Sequence, residues 1–152
     1  MTIRPYRSQD IQQIAKLFHD TVHHVNAYDY SQEQLDVWAP DDIDLDSWHN
    51  RLSSQCCLIA IINNSIIGFG SIDTLGCLDM LYVHKDFQKQ GIASKLCDEL
   101  ECIYPVPSIY TYASITAKAF FLNRSYKIIK EQTVERKGIT LINYQMEKCF
   151  LK

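Results

Sequence analysis

Hydrophobic positions along the first third of the chain recur at helical spacing. Residues 11–22 place an apolar residue at every third or fourth position, which predicts an amphipathic helix after a short strand around Ile3. Ser31 and Gln34 have the spacing of a capping box, so we expect a second short helix there. A further helical turn around Trp48 precedes the first long apolar run.

In the middle of the chain the pattern becomes strand-like. Residues 57–62 form an unbroken apolar run, and Asn63-Asn64 then turns the chain into a second run over residues 65–72. Asparagine tolerates a positive φ, so this pair predicts a tight hairpin. Gly76 marks another turn, into residues 77–84, and the three segments together predict an antiparallel meander.

Beyond Gly91, helical and strand-like segments alternate. An apolar face over residues 92–103 predicts a helix, residues 109–113 alternate as a strand, and a short helix follows. The chain then reaches a hairpin around Lys137-Gly138. The predicted order is β-α-α-β-β-β-α-β-α-β-β: one α+β domain over residues 1–152, with a central mixed sheet flanked by helices.

Composition narrows the classes of partner. The chain has 152 residues, 47% of them hydrophobic and 22% charged, with a net charge of −3. Nucleic-acid binding favours a basic surface, and a membrane span needs roughly 18–20 consecutive apolar residues, so we expect neither partner. The first residues show no apolar leader, and the protein is expected in the cytoplasm.

The six cysteines show no metal-binding spacing. None forms a C-x-x-C pair and the histidines complete no zinc pattern, so we predict no metal. Most of the cysteines lie within apolar runs, where a free thiol packs as a small hydrophobic group. Reduced, buried thiols are therefore the expected state.

The segment with the clearest chemistry joins a strand to a helix over residues 78–100. Helix N-termini carry unpaired N–H groups and the positive end of the helix dipole, which suits phosphate oxygens where no large side chain blocks the approach. Gly91 and Ala93 are small residues at the predicted helix start, and Lys89 adds a positive charge. A nucleotide is a less favoured ligand, because the segment lacks G-x-x-x-x-G-K-[ST].

Two motifs in this region resemble those of a known family. Residues 88–93, Gln-Lys-Gln-Gly-Ile-Ala, are similar to the Q/R-x-x-G-x-G/A motif of the GNAT superfamily of acyl-CoA N-acyltransferases. Residues 114–126 resemble that family's N-x-x-A-x-x-F-Y-x-x-x-G-F segment. The resemblance implies a splayed sheet, in which the strand over residues 78–84 diverges from the strand over residues 109–113 and acyl-CoA lies between them.

The same resemblance implies where acyl-CoA binds. Its pyrophosphate would rest on backbone amides between Lys89 and Ser94, and its acyl and pantetheine amides would pair with the strand before the motif. The implied cofactor-binding residues are Leu81, Tyr82, Val83, Gln88, Lys89, Gln90, Gly91, Ile92, Ala93, Ser94 and Phe121.

The predicted catalytic residues depart from the family pattern. Many members use the tyrosine of F-Y to protonate the leaving thiolate, but this position is Phe121, while Ser114 and Ser125 replace the usual asparagine and glycine. Tyr112 is one candidate replacement for the acid, and Ser114, acting through a water, is another. Each has a structural alternative: Tyr112 as a packed aromatic, and Ser114 as the N-cap of the next helix.

The general base is predicted from charge and position. Asp79 is the acidic residue on the strand before the motif and, by strand alternation, shares a face with Leu81 and Val83. It could take the amine's proton through a water, or it could instead form an ion pair with an end group of the neighbouring strand.

The acceptor side is expected between the first two helices. Aromatic side chains there would suit an amine, and a histidine could serve as a base near neutral pH; an ordinary surface position is the alternative for the histidine. The residues expected to bind the acceptor are His23, Tyr28, Tyr30 and Trp38.

We therefore predict an N-acetyltransferase that moves the acetyl group of acetyl-CoA, its co-substrate, to a primary amine of a small molecule or peptide. The alternative is a non-catalytic acyl-CoA-binding or regulatory domain of the same fold, which the loss of tyrosine at Phe121 favours. We also consider a homodimer formed through the C-terminal strands, because an exposed sheet edge invites pairing.

Overall fold

The computed structural model describes residues 1–150, and its centre is one mixed sheet of seven strands. The strands are β1 (Thr2–Pro5), β2 (Cys56–Ile62), β3 (Ser65–Ile72), β4 (Cys77–Val83), β5 (Ser108–Ser114), β6 (Lys127–Arg136) and β7 (Ile139–Cys149). They lie in the order β1-β2-β3-β4-β5-β7-β6, and every neighbouring pair except β4 and β5 is antiparallel. The predicted α+β class with a central mixed sheet is confirmed.

Five α-helices flank the sheet within the described residues. They are α1 (Ile11–His24), α2 (Gln32–Trp38), α3 (Leu45–Ser53), α4 (Ile92–Leu100) and α5 (Lys118–Asn123). Helices α1, α2 and α3 cover one face, and α4 and α5 cover the other. Among residues 1–150 the structure contains no helix with the length and apolarity of a membrane span.

The predicted order of elements is wrong by one helix. The sequence indicated a helical turn around Trp48, but α3 is a full helix of nine residues. The carboxylate of Asp44 accepts a hydrogen bond from the Ser47 N–H at 3.1 Å and so caps its first turn. Leu52, one turn beyond Trp48, is 1% exposed and anchors the helix on the sheet.

The predicted turns and caps are present. Asn63 and Asn64 have φ values of 50° and 64° in the hairpin between β2 and β3. The capping box of α2 is formed: the Gln34 N–H donates to Ser31 Oγ at 3.2 Å, and the Ser31 N–H donates to Gln34 Oε1 at 2.8 Å. The predicted C-terminal boundary of α4 is wrong: the helix ends at Leu100, and Ile103, predicted to lie on its apolar face, is outside the helix and 41% exposed.

The sheet opens between β4 and β5. The two parallel strands pair only at Cys77 with Tyr110 and at Leu78 with Thr111, where the Thr111 hydroxyl donates to the Leu78 carbonyl at 2.8 Å. Beyond this point they diverge, and no strand within residues 1–150 pairs with the β5-facing edge of β4 over residues 79–83. Backbone groups on that edge therefore have no strand partner, although the Val83 carbonyl accepts side-chain hydrogen bonds from Gln88 and Thr21.

Helix α4 lies close against the sheet beside this opening. A Cβ atom at Gly70 on β3 would come within 2.8 Å of Leu100 Cδ1, so any larger residue there would force the Leu100 side chain to shift. Leu96 and Leu100 of α4 are fully buried in the core on this face. The packing fixes the helix axis and therefore the position of its N-terminus beside the opening.

Candidate active site

The loop before α4 presents unpaired backbone N–H groups. Gly91 is left-handed, with φ 81° and ψ 8°, and a Cβ atom there would meet nothing within 4 Å. The first hydrogen bond of the helix runs from the Lys95 N–H to the Gly91 carbonyl at 3.1 Å. The N–H groups of residues 92–94 consequently have no partner inside the helix, and they carry the positive end of its dipole. This geometry suits phosphate oxygens.

Gln88 holds this loop onto the end of β4. Its Nε2 donates to the Val83 carbonyl at 2.6 Å, and the Thr21 hydroxyl of α1 donates to the same carbonyl at 3.2 Å. The Gln88 side chain therefore points back to the strand, while Lys89 and Gln90 are exposed on the loop. Because its side chain is used in this way, the predicted contact of Gln88 with the cofactor applies only to the Gln88 backbone.

The free edge of β4 offers alternate backbone groups to the opening. The His84 N–H donates to the Ile67 carbonyl of β3 at 2.7 Å. Because backbone groups alternate along an antiparallel strand, those of Tyr82 also face β3, whereas those of Leu81 and Val83 face the opening. Of the three predicted backbone contacts, the geometry therefore supports Leu81 and the N–H of Val83, because the Val83 carbonyl already accepts from Gln88 and Thr21. Tyr82 lines the cavity with its side chain instead.

A cavity of about 530 Å³ lies beside the opening on the face covered by α1, α2 and α3. Its walls combine aromatic, apolar and polar side chains from three helices and four strands. The lining residues are Phe18, Tyr30, Trp38, Trp48, Arg51, Asp79, Met80, Tyr82, Tyr112, Ser114, Gln132, Val134, Arg136, Leu141, Ile142 and Asn143.

Six predicted site residues come together in this cavity. They are the proposed catalytic residues Asp79, Tyr112 and Ser114, the proposed acceptor residues Tyr30 and Trp38, and Tyr82, predicted to contact the cofactor. The sequence separates them by more than eighty positions, and the sheet brings them to one opening. Their chemical roles stay predictions.

Three other predicted residues lie elsewhere. Tyr28 is 93% exposed, and His23 packs with its Nε2 2.7 Å from the Ala39 carbonyl; neither lines the cavity. Phe121, predicted to contact the cofactor, is 3% exposed and packs edge-on against Tyr126 with ring centroids 5.0 Å apart. Its ring belongs to the core on the α4 side of the sheet.

Asp79 reaches the cavity through an irregularity in β4. The pairing of β3 with β4 skips one residue, since Ser71 pairs with Met80 and Ile72 with Leu78. Asp79 is the extra residue of this bulge, so it joins Met80 on the cavity side, and the predicted shared face with Leu81 and Val83 is wrong.

An ion pair holds the Asp79 carboxylate. Arg51 of α3 donates to both its oxygens, from Nε at 2.7 Å and from the terminal nitrogen at 2.6 Å, and Gln55 Nε2 adds a third bond at 2.9 Å. Burial acts to raise the pKa of Asp79, but these hydrogen bonds outweigh it and the net pKa is lowered. Asp79 is therefore a carboxylate at neutral pH, and its partner lies on a helix rather than on the neighbouring strand.

Ser114 and Tyr112 lie on the cavity side of β5. Ser114 Oγ accepts a hydrogen bond from the Ala117 N–H at 3.0 Å and so closes the turn before α5, but the N-cap of α5 is Ala117, so Ser114 is not the N-cap considered as its structural alternative. Tyr112 is 48% exposed and packs edge-on against Tyr110 with centroids 6.0 Å apart. The Tyr112 ring is thus packed against Tyr110 on one side and exposed on the other.

Comparison with known proteins decides the family. The sequence model of the acetyltransferase (GNAT) domain matches residues 26–148. This chain belongs to the GNAT acetyltransferase family. It is 34% identical over 145 residues to the uncharacterized N-acetyltransferase YafP of Escherichia coli K12, covering 95% of this chain and 93% of that protein.

Solved structures agree with this assignment. A GCN5-related N-acetyltransferase from Rhodopseudomonas palustris superposes with a TM-score of 0.94 at 33% identity, over 98% of this chain and 95% of that one. The PaiA N-acetyltransferase from Thermoplasma acidophilum, solved with coenzyme A, has a TM-score of 0.78 at 17% identity, over 99% and 100% of the two chains, and shares the fold. The protein is thus an acyl-CoA-dependent acyltransferase.

Tyr30 fixes one wall of the cavity in this GNAT acetyltransferase. Its hydroxyl donates to the Ile142 carbonyl of β7 at 2.7 Å and accepts from the Ile115 N–H, just beyond β5, at 2.9 Å. Burial raises the pKa of Tyr30, so the hydroxyl stays protonated and keeps its donor. Burial likewise raises the pKa of Tyr82 to about 12. Both tyrosines are neutral hydrogen-bonding groups at physiological pH.

Several lining residues of this GNAT acetyltransferase have no clear signal in the sequence. Arg51, Gln132, Arg136 and Asn143 line the cavity but belong to no motif. Strand alternation does place Gln132 and Arg136 on one face of β6, but only the tertiary structure shows that this face meets the cavity. Within residues 1–150 there is no group of three or more His, Cys, Asp or Glu side chains arranged to hold a metal ion.

Proposed function

We propose that this GNAT acetyltransferase transfers the acetyl group of acetyl-CoA directly to a primary amine of a small molecule or peptide. One observation carries the proposal: the phosphate-suited loop at Gly91 and the cavity flank the same free edge of β4. A thioester bound along that edge would have its phosphates at the loop and its acetyl group beside the cavity. The similar PaiA enzyme, solved with coenzyme A, supports this ligand.

Direct transfer needs no acyl-enzyme intermediate. The amine nitrogen attacks the thioester carbonyl, the carbon–sulfur bond breaks, and the amine loses one proton while the thiolate gains one. None of the six cysteines is among the cavity-lining residues, and burial raises the pKa of Cys57 and of Cys97 to about 12. These protonated thiols are poor nucleophiles, which favours attack by the amine itself.

We assign the proton transfers to groups at the cavity. Asp79 is proposed to accept the amine's proton through a water, since it is ionised and faces the cavity. Tyr112 is proposed to donate a proton to the thiolate in place of the missing tyrosine at Phe121. Ser114 is the second candidate for that donation, again through a water.

The reaction is tested by release of coenzyme A. The protein is mixed with acetyl-CoA and a panel of primary amines, and free thiol is measured against a sample without amine. Amine-dependent thiol release with formation of the N-acetylated amine supports the proposal. Tight acetyl-CoA binding with no turnover on any amine would favour the non-catalytic acyl-CoA-binding domain, the alternative suggested by Phe121, which has no hydroxyl and is buried.

Replacing the proposed catalytic groups should lower kcat more than it raises KM. We expect Tyr112→Phe to reduce kcat by about a hundredfold, the lower end of the 10²–10⁴ that general acid catalysis contributes. Tyr110→Phe is the matched control, since Tyr110 lies on the same face of β5 but not in the cavity lining. Asp79→Asn and Ser114→Ala, measured in parallel, identify the base and the second donor. Equal rates for Tyr112→Phe and Tyr110→Phe would remove Tyr112 from the mechanism.

The proposal extends to location and assembly. A cytoplasmic location suits the six free cysteines, which a reducing environment would keep as thiols. A homodimer is proposed through β6, the ten-residue strand at one edge of the sheet, where Ile128 and Ile129 are exposed. Sedimentation or light scattering should give twice the chain mass, and a monomer at micromolar concentration would exclude this interface.

A further inference from the structure

The charges that line the cavity do not balance. Arg51 and Asp79 form an ion pair and cancel each other. Arg136, on β6, also lines the cavity, and no carboxylate within residues 1–150 forms an ion pair with it. The remaining charged cavity group is therefore one positive guanidinium, although the chain as a whole is acidic.

Arg136 is an exposed residue at the C-terminal end of β6, where the strand enters the hairpin to β7. Gln132, Val134 and Arg136 alternate along β6 and all line the cavity. Gln132 pairs with Asn143 on β7, which pairs with Ser114 on β5, so these three form one row across the sheet. Ser114 is the last residue of β5 and lies at the opening. Arg136 lies four residues beyond Gln132 on β6, a distance of about 13 Å along the strand.

The row at the opening has an unused acceptor. Asn143 Oδ1 is buried and has no hydrogen-bond partner in the structure. Leaving such an atom unpaired in the presence of ligand would cost free energy, so a ligand N–H is the natural partner. Asn143 lies in the same row as Ser114, beside the place where the acetyl group is proposed to lie.

Between the two ends the cavity walls are apolar and aromatic. Val134 and Leu141 are paired across β6 and β7 and separate Arg136 from the polar row. Trp38 of α2 and Trp48 of α3 add aromatic wall to the same cavity. A ligand that spans the cavity therefore needs a polar group at each end and a hydrophobic body between them.

We propose that the acceptor is an amine whose far end carries a carboxylate: Arg136 pairs with the carboxylate, and Asn143 accepts a hydrogen bond from the amine. This specificity rests on the proposed acetyl transfer. Guanidinium and carboxylate form two parallel hydrogen bonds, which gives both affinity and orientation. A single uncompensated cation matches a monoanion better than a phosphate ester, and it disfavours a diamine, whose second ammonium would meet Arg136 without a counter-charge.

Three ligands that differ only at the far group test this inference. They are para-aminomethylbenzoate, its carboxamide and para-xylylenediamine. The chain has two tryptophans, Trp38 and Trp48, and both line the cavity, so intrinsic fluorescence reports binding there without any turnover. We expect the carboxylate to bind about tenfold or more tighter than the carboxamide, because a hydrogen bond between two charged groups contributes more free energy than one to a neutral group. The diamine should bind weakest. The titrations are run with and without coenzyme A.

Arg136→Gln should remove the preference. We expect it to weaken carboxylate binding by about tenfold or more while leaving the carboxamide within about twofold. Lys130→Gln is the matched control, because Lys130 is an exposed cation on the same strand outside the cavity lining. Equal binding of carboxylate and carboxamide by the native protein, or equal losses for both in Arg136→Gln, would overturn the inference. Failure of acetyl transfer itself shows separately, as no thiol release with any acceptor.

Discussion

Replacing Gly91 by glutamate is expected to weaken acetyl-CoA binding by at least about 100-fold, or roughly 2.7 kcal/mol. Two effects act together. Gly91 has φ 81°, a conformation that an L-residue adopts only at a cost of roughly 1–2 kcal/mol. The new carboxylate would also lie at the positive end of α4, where it competes with the pyrophosphate for the same N–H groups and repels it.

The chain supplies a matched control for the strain. Gly138, in the hairpin between β6 and β7, has φ 79°, and, as at Gly91, a Cβ atom there would meet nothing within 4 Å. Gly138→Glu therefore carries the same backbone cost and the same charge far from α4. Calorimetry should show acetyl-CoA binding lost in Gly91→Glu and kept in Gly138→Glu. Native-like binding by Gly91→Glu would exclude the α4 N-terminus as the phosphate site.

Most of the fold follows from local signals in the sequence. The Asn63-Asn64 and Lys137-Gly138 turns adopt the positive φ values that their residue types permit, so the two hairpins form as predicted. Ser31 with Gln34 caps α2 for an equally local reason. Helix α3, predicted only as a helical turn, also has a local signal in the Asp44 cap, but the polar residues between Trp48 and Leu52 obscured its length.

The site follows less directly, because non-local structure decides it. Strand alternation assigns Asp79 to the wrong face, since the bulge that turns it into the cavity appears only when β3 and β4 pair. Arg51, which pairs with Asp79 of β4, lies on helix α3, 28 residues away in the chain. Phe121 matches a motif position, yet its ring packs in the core. A motif therefore identifies the phosphate loop, while the acceptor cavity depends on tertiary packing.

Glutamine in place of Glu101 is expected to lower the free energy of unfolding by about 3 kcal/mol, since removing one partner of a buried ion pair costs roughly 3–5 kcal/mol. The Glu101 side chain is 6% exposed at the C-terminal end of α4. Its Oε1 accepts from Arg124 at 2.7 Å and from Lys148 at 3.2 Å, and its Oε2 accepts from the Tyr126 hydroxyl at 2.7 Å. One carboxylate thus ties α4 to the segment after α5 and to β7.

The pH dependence separates the charge from the shape of this side chain. Burial acts to raise the pKa of Glu101, but the bonds from Arg124, Tyr126 and Lys148 outweigh it and lower the pKa below its ordinary value of 4.5. A group with a lowered folded-state pKa stabilises the protein above its unfolded-state pKa and loses that contribution as the pH falls through the folded-state value. The stability difference between native protein and Glu101→Gln should therefore be constant near neutral pH and shrink below about pH 4.5.

Urea unfolding at pH 7 and pH 4 measures this difference, with Glu99→Gln as the control, because Glu99 is exposed on the same helix. In thermal unfolding at pH 7, the melting temperature of Glu101→Gln should fall by roughly 6–12 °C, while that of Glu99→Gln should hardly change. Glu101 lies at the opposite end of α4 from Gly91, so the folded variant should still bind acetyl-CoA. A Glu101→Gln protein as stable as Glu99→Gln at pH 7 would show that solvent or Asp98, which also pairs with Arg124 at 3.0 Å, replaces the lost charge.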